Sequence, residues 1–193
     1  MVFEEDRLRR ARTGDLAAFN DLVVEHQALV FNLCLRQLGQ RQAAEDAAQE
    51  AFISAWKNLA GLRGAFRPWL LRIAANACTD ELRRRTRRAS SSLDLALEAG
   101  VPEPPDEGPL PETTTLQGEL RREVEAALQT LPEEQRLAVI LSDLNGLDYN
   151  EIAEVMKTSL GTVKSRIARG RARLREVLRP DGELSAAQSR QKL

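Results

Sequence analysis

The sequence predicts an all-α protein of two small helical domains joined by an acidic, proline-rich linker. Apolar residues recur at helical spacing through most of the chain, and no strand-like alternation persists. The pattern breaks in the middle, where five prolines lie from Pro102 to Pro111 and residues 89–118 contain six acidic side chains and no basic one. So little apolar surface cannot offset the entropy of an ordered chain. We therefore expect residues 89–115 to be an extended, largely unfolded linker.

Four helices are predicted in the first domain, residues 1–88. They cover about 4–12, 15–38, 42–59 and 68–88, with glycine breaks at position 39 and from 61 to 64. The second helix carries the longest apolar stripe, formed by Phe19, Leu22, Val23, His26, Val30 and Leu33. The only histidine of the chain, His26, therefore belongs to a core face, where packing is a better explanation than catalysis.

The second domain, residues 116–179, begins with two predicted helices. They cover about 116–129 and 132–144. Pro132 suits the start of the second of these helices, and Asn145 with Gly146 suits its end. The tail at 180–193 is polar, and we expect it to be mobile and assign no role to it.

Residues 144–178 have the form of a helix-turn-helix, in which two short helices are joined by a tight turn at Lys157 and Thr158. Asp148 and Glu151 are spaced as a capping box for the first helix, and Ser159 can cap the second. The residues that we expect to face the core are Ile152, Val155, Met156, Val163 and Ile167. Such a motif predicts a reader of duplex DNA.

The charge distribution supports that interpretation. The overall net charge of −1 conceals a net +4 in residues 1–88, −6 in 89–118 and +1 in 119–179. Residues 157–179 alone carry eight basic side chains and one acid, Glu176. Cations near a helix C-terminus favour the helix dipole, which explains a few of them but not their density. Duplex DNA would neutralise all of them.

Two helices of the first domain carry polar surfaces whose composition differs from that of an ordinary solvent-exposed helix face. On the third helix, Asp46, Gln49 and Glu50 share a face with Ile53 and Trp56, which favours a protein-binding patch. The fourth helix interleaves aromatic, amide and basic side chains, namely Phe66, Trp69, Arg72, Asn76 and Arg83, and ends in the block RRRTRR at 83–88. That combination suits unstacked, single-stranded nucleic acid, although the two aromatic residues could equally close the core.

Other functional classes are disfavoured by composition. No apolar run approaches the roughly 20 residues that span a bilayer, and the N-terminus lacks the apolar segment of a secretion signal, so we expect a cytoplasmic protein without membrane insertion. Cys34 and Cys78 sit in helical, apolar surroundings and are expected to be buried; a redox role is the alternative. A magnesium nuclease using Asp46 and Glu50 is disfavoured, because acids at this spacing are common on solvated helices. We expect no cofactor, metal or catalytic residue.

The motifs resemble those of a known family. The strings are DAAQEAF at 46–52, then WLLRIAANACTDELRRR, and finally LPEEQRLAVILSDLNGLDYNEIAEVM followed by GTVKSRIARGRARL. In this order and at these separations they resemble the extracytoplasmic-function sigma factors of bacterial RNA polymerase, which keep only sigma domains 2 and 4. The resemblance extends over about residues 6–178. It implies sigma domain 2 at 1–88, sigma domain 4 at 116–179, and a non-enzymatic role in promoter selection.

The resemblance also implies roles for individual residues. The residues implied to face the clamp helices of the polymerase largest subunit are Asp46, Gln49, Glu50, Phe52 and Trp56. Those implied to hold the melted strand of the minus 10 element are Phe66, Trp69, Arg72, Asn76, Arg83 and Arg84. For the minus 35 element, Ser165, Arg166 and Arg169 are implied to read bases, and Thr162, Lys164, Arg171 and Arg173 to contact mostly phosphates.

Further partners follow from the same resemblance. It implies contact of the second domain with the polymerase flap, a path for the acidic linker toward the active centre, a role in a stress or envelope response, and control by an anti-sigma factor. A stand-alone dimeric helix-turn-helix regulator is the alternative, but it leaves the first domain without a role. Two residues depart from the common pattern: Lys157 stands where many such turns have glycine, and Gly170 interrupts the recognition helix, where it is either tolerated or allows a close backbone approach.

Overall fold

A computed structural model describes residues 2–92 and 116–178, and these residues form eight α-helices and no β-strand. In the first domain they are α1 (Val2–Arg12), α2 (Leu16–Leu38), α3 (Arg41–Asn58) and α4 (Phe66–Ser92). In the second they are α5 (Leu116–Gln129), α6 (Glu133–Val139), α7 (Tyr149–Met156) and α8 (Leu160–Val177). The all-α prediction is confirmed, while most of the predicted linker and the tail lie outside the described residues. None of the described helices is long and apolar enough to cross a membrane.

Local sequence signals explain several helix ends. Asp15 caps α2 by accepting a hydrogen bond from the Ala18 amide at 3.0 Å, and Gly39 ends that helix with a φ of 72°. The fourth helix differs from its prediction at both ends. It begins at Phe66 because Pro68 falls in the first turn, where no amide donor is needed. It continues to Ser92, since no glycine or proline interrupts the chain after Arg88 until Gly100.

The predicted helix at 132–144 is also revised. Its regular part ends at Val139, and a π-helical turn follows over Ile140–Leu144. The Asn145 amide accordingly donates to the Ile140 carbonyl at 3.0 Å, one residue further back than in an α-helix. Ile140 and Leu141 are fully buried within this turn.

The core of the first domain lies among α2, α3 and α4. Helix α3 packs closely because its inward face is made of small side chains, which are Ala44, Ala47, Ala48, Ala51 and Ala55, all buried. In the second domain α8 packs against α6 and α7. The predicted inward residues Ile152, Val155, Val163 and Ile167 are all buried, and Met156 is partly so.

The two domains dock against each other, which the sequence did not predict. The C-terminal part of α2 contacts α5 and α6, and α4 packs against α7. Buried apolar residues of both domains form one contiguous cluster. The described residues therefore form a single body in which the helix-turn-helix lies beside the fourth helix.

Candidate nucleic-acid interface

The α3 surface predicted to bind protein is accessible. Asp46, Gln49 and Glu50 are exposed, and Ile53 leaves 47 % of its surface open. The two aromatic residues predicted to share this surface, Phe52 and Trp56, are half-buried, and the Trp56 ring packs on Phe19 with 5.0 Å between centroids. Acidic groups beside exposed apolar surface are typical of a protein-binding patch with a polar rim.

The α4 surface predicted to hold a single strand is only partly as expected. Trp69, Arg72 and Asn76 lie on one helix face; Arg72 is exposed, and the other two are half-buried. Phe66 instead belongs to the core, because it is only 2 % exposed and packs edge-on against His26 at 5.2 Å. Of the two roles left open for Phe66, the structure therefore has the packing role, and the expected contact of its ring with DNA is withdrawn. Its other ring neighbour is Trp69, at 5.9 Å.

The arginine block at the end of α4 has acidic partners of its own. Arg84 and Arg85 both donate to Glu81, and Arg83 lies 3.7 Å from Asp80. Partial burial raises the pKa of Glu81, but the hydrogen bonds from the two arginines outweigh it and hold that pKa below its usual range. Carboxylates three and four residues away therefore reduce the repulsion among the arginines of this block.

The helix-turn-helix is built as predicted. The Asp148 carboxylate accepts from the Asn150 and Glu151 amides at 2.7 and 2.9 Å, and Glu151 accepts from the Asp148 amide at 2.8 Å. The Ser159 hydroxyl accepts from the Thr162 amide at 3.1 Å and so caps α8. These caps satisfy amide donors in the first turns of α7 and α8 and so define where the two helices begin.

The structure also shows how the two residues that depart from the common pattern are accommodated in the motif. Lys157 ends α7 with a φ of 49°, the left-handed conformation that glycine adopts without strain. Gly170 lies where α8 meets α6, and a Cβ atom there would be 2.7 Å from Val139 Cγ2. Of the two alternatives for Gly170, the close approach is therefore correct.

The polar face of α8 divides into paired and unpaired groups. Arg166, with 18 % of its side chain exposed, is ion-paired with Glu134 of α6. Arg171 donates to Asp143 at 2.9 Å, and this hydrogen bond holds the pKa of Asp143 below its usual range. Ser165 donates to the Thr162 carbonyl at 2.9 Å. Within the described residues, no ion pair or hydrogen bond engages the exposed side chains of Lys164, Arg169 and Arg173.

The two cysteines are buried and adjacent. Cys34 and Cys78 each have no exposed surface, and both are free thiols. The hydrogen bond with Cys34 and the burial of the site raise the pKa of the Cys78 thiol above its usual range. Because both side chains are buried, they pack as small apolar groups. No group of three or more potential metal ligands occurs within 2–92 and 116–178.

Comparison with known proteins accounts for both domains. Residues 22–88 match sigma-70 region 2, and residues 121–174 match sigma-70, region 4. The chain is 40 % identical over 180 residues to the ECF RNA polymerase sigma-E factor of Escherichia coli K12, which covers 90 % of this chain and 93 % of that protein. The chain belongs to the extracytoplasmic-function sigma factors. The sigma factor is also 37 % identical over 182 residues to the RNA polymerase sigma-H factor of Pseudomonas aeruginosa, across 92 % and 94 % of the two chains.

A solved structure has the same fold. The sigma factor resembles RpoE of Bartonella quintana, crystallised with the anti-sigma factor NepR, with a TM-score of 0.66 and 27 % identity over 84 % of this chain and 98 % of that one. The likeness covers both helical domains, so the fold predicted from the motifs is confirmed.

Sequence reasoning missed the residues that join the two domains of the sigma factor. Gln37 and Arg136 are among the few buried polar side chains of the described residues. Both occupy positions where the helical pattern calls for an apolar residue, which was an available signal. Their partners are backbone carbonyls, and no pattern in the sequence identifies those.

Proposed function

We propose that this sigma factor binds core RNA polymerase and directs initiation at promoters that carry its own minus 10 and minus 35 elements. It acts without catalysis of its own, in the cytoplasm, where polymerase and promoter DNA are found. The observation that carries the proposal is the presence of three chemically distinct surfaces on three helices. Helix α3 offers acidic and apolar groups, α4 offers aromatic and basic groups, and α8 offers unpaired cations.

Each surface suits a different partner. Exposed Ile53 beside Asp46 and Glu50 suits a protein, here the clamp helices of the polymerase largest subunit. Trp69, with the amide of Asn76 on the same face of α4, suits an unstacked base of the melted minus 10 strand. The minus 35 element would be read in the major groove by Arg169 and its neighbours on α8.

The ion pairs on α8 bear on how it would meet DNA. Arg166 and Arg171 already have carboxylate partners, so they would have to exchange these for phosphates or bases. Lys164, Arg169 and Arg173 need no such exchange. We therefore expect these three to provide most of the electrostatic affinity for duplex DNA.

A protein inhibitor is also part of the proposal. The Bartonella quintana relative was crystallised with its anti-sigma factor. We propose that an anti-sigma factor controls this chain as well, in response to stress or to a signal from the envelope.

Transcription with purified core polymerase tests the proposal. Adding the chain to core enzyme should produce initiation from a subset of a bacterial promoter library, and initiation from none would contradict the proposal. Asp46→Ala should weaken the binding of core enzyme at least about fivefold by removing an interface charge. Asp21→Ala is the control, because Asp21 is an exposed acid of α2 and not of the proposed α3 surface; it should bind normally.

Two variants of α8 separate base reading from phosphate binding. Arg169→Ala should cost about 1–3 kcal/mol and relax base preference at one position of the minus 35 element. Lys164→Ala should weaken binding equally on all sequences and lower the salt dependence by about one phosphate contact. Equal effects of both variants on sequence preference would contradict the assigned roles.

A further inference from the structure

Two arginines of the recognition helix reach back to the segment on which that helix rests. Glu134 of α6 binds Arg166, and Asp143 of the π-helical turn binds Arg171. At about 100° per residue, the two arginines lie one on each side of the buried stripe of α8. Both carboxylates therefore lie at the border of the surface that is proposed to meet duplex DNA.

Asp143 occupies the edge of Arg171 that a phosphate would use. Arg171 donates from Nε to Asp143 Oδ2 at 2.9 Å and from Nη2 to Asp143 Oδ1 at 2.5 Å. The same Nη2 lies 3.4 Å from the Ser142 hydroxyl oxygen. A guanidinium binds carboxylates and phosphates through the same fork of two N–H donors. A DNA phosphate can therefore take this edge only after the carboxylate has left it.

The pair of Arg166 and Glu134 differs in its exposure. Only 18 % of the Arg166 side chain is open to solvent, whereas 70 % of the Glu134 side chain is open. The negative charge of the pair is therefore the more exposed one. A phosphate that approaches Arg166 is repelled by this carboxylate, because like charges a few ångströms apart raise the energy of the complex.

The other cations of this surface have no such partner. Within the parts of the chain that the structure describes, no ion pair or hydrogen bond engages the side chains of Lys164, Arg169 and Arg173. A cation that neutralises a phosphate releases condensed counterions and adds about 0.9 to the slope of log affinity against log salt. Arg166 and Arg171 add less, because each must exchange one anion for another.

We infer that Glu134 and Asp143 limit the affinity of the free sigma factor for duplex DNA of any sequence, by competing with phosphates for Arg166 and Arg171. The inference rests on the proposed function, because it takes α8 as the surface that meets duplex DNA. A genome offers about 10⁶–10⁹ non-specific sites, so every further phosphate contact would hold more of the free protein on DNA. The two acids keep the chain available to core polymerase.

Removing either negative charge tests the inference. Asp143→Asn and Glu134→Gln preserve side-chain size, and each releases one arginine. Fluorescence anisotropy of a labelled, random-sequence duplex of about 20 base pairs, with the full-length protein at about 50–200 mM salt, measures affinity and its salt dependence. Each variant should bind at least about threefold more tightly and steepen the salt slope by about 0.9. The double variant should change the slope about twice as much.

Glu176→Gln is the matched control. Glu176 is an exposed acid of α8, and no ion pair engages it among the described residues. Its substitution removes the same charge from the same domain but releases no arginine. The affinity should change less than about twofold, and the salt slope should not change.

A second comparison shows whether the effect depends on the arginine. In a chain that already carries Arg171→Ala, Asp143→Asn should raise the affinity no more than Glu176→Gln does, because no guanidinium remains to be released. A gain that persists without Arg171 would show that the lost acid acts through its charge alone, and it would overturn the inference.

The outcomes also separate the inference from the proposed function. If Asp143→Asn and Glu134→Gln weaken duplex binding or leave it unchanged, while the natural chain still supports initiation with core polymerase, the inference is wrong and the proposed function stands. Weaker binding would mean that the carboxylates hold the arginines in position for DNA. If no form of the chain binds duplex DNA and no promoter is used, both fail.

Discussion

At the scale of single residues, Gly170 shows how one hydrogen atom in place of a methyl group sets the distance between two helices. Its missing Cβ would lie 2.7 Å from Val139 Cγ2 and 3.4 Å from the Gln135 carbonyl oxygen. Val139 is 3 % exposed and β-branched, so it has little room to move. Helix α8 therefore rests directly on α6 at this point, and this contact sets the position of the recognition helix.

Gly170→Ala should destabilise the protein by about 1–3 kcal/mol, because the added methyl group overpacks the contact with α6. This cost exceeds the gain of about 1 kcal/mol that alanine normally brings to a helix. Urea denaturation measures both effects.

Gly161→Ala is the matched control for that substitution. Gly161 lies in the same helix, where a Cβ would meet only the Ser159 hydroxyl at 3.8 Å. It should be neutral or stabilising by up to about 1 kcal/mol. Equal stabilities of the two variants would show that the close contact at Gly170 has no energetic weight.

Lys157→Gly should raise the free energy of unfolding by about 0.5–1 kcal/mol. The reason is that Lys157 has a φ of 49°, which costs a residue with a Cβ more than it costs glycine. Lys57→Gly near the end of α3 is the control, since Lys57 is helical and exposed; that variant should lose about 1 kcal/mol. A destabilised Lys157→Gly protein would contradict this interpretation of the turn.

At the scale of secondary-structure elements, the contact between the π-helical turn and α8 depends on a charge pair. Asp143 accepts a hydrogen bond from Arg171 at 2.9 Å, and this bond is the main reason that the pKa of Asp143 is lowered. The pair is half-exposed, with 31 % and 44 % of its side chains open, so solvent screens it. Its contribution is therefore at most about 1 kcal/mol.

The lowered pKa determines the direction of a pH effect. The stabilising contribution of Asp143 is present above the pKa of the unfolded carboxyl, about 3.9, and is lost as the pH falls through the lower, folded value. Asp143→Asn should therefore be less stable than the natural sequence at pH 7, and the difference should shrink as the pH falls below about 3.9. Thermal unfolding between pH 3 and 7 measures this, and a difference that stays constant with pH would argue against the charge pair.

Local chemistry explains which elements could be predicted from sequence. The capping box of Asp148 and Glu151 and the cap of Ser159 depend on neighbours in the chain, and they place the helix-turn-helix correctly. The π-helical turn at Ile140–Leu144 has no such signal, because it depends on how the chain fits between α6 and α8. Likewise, Phe66 and Trp69 look alike in sequence, and only packing against His26 assigns Phe66 to the core.

At the scale of the whole molecule, the family and the two domains could be predicted, but their docking could not. The motif strings lie within the domains, where contacts are local. The hydrogen bonds between the described parts of the two domains end on the backbone carbonyls of Arg36, Gln37, Glu133 and Asn145, and every residue has such a group. The sequence-based picture of two readers on a free tether is therefore incomplete, because the structure has them in contact.

The central claim is that α4 and α8 read two separate promoter elements for one polymerase. Transcription by reconstituted holoenzyme from templates with both elements randomised, followed by sequencing of the transcripts, tests it most directly. Asn76→Ala should change base preference only in the minus 10 block and Arg169→Ala only in the minus 35 block, each by about 1–3 kcal/mol at one or two positions. If both variants change the base preference in the same block, or if neither variant changes it in either block, the division of roles between the two helices is wrong.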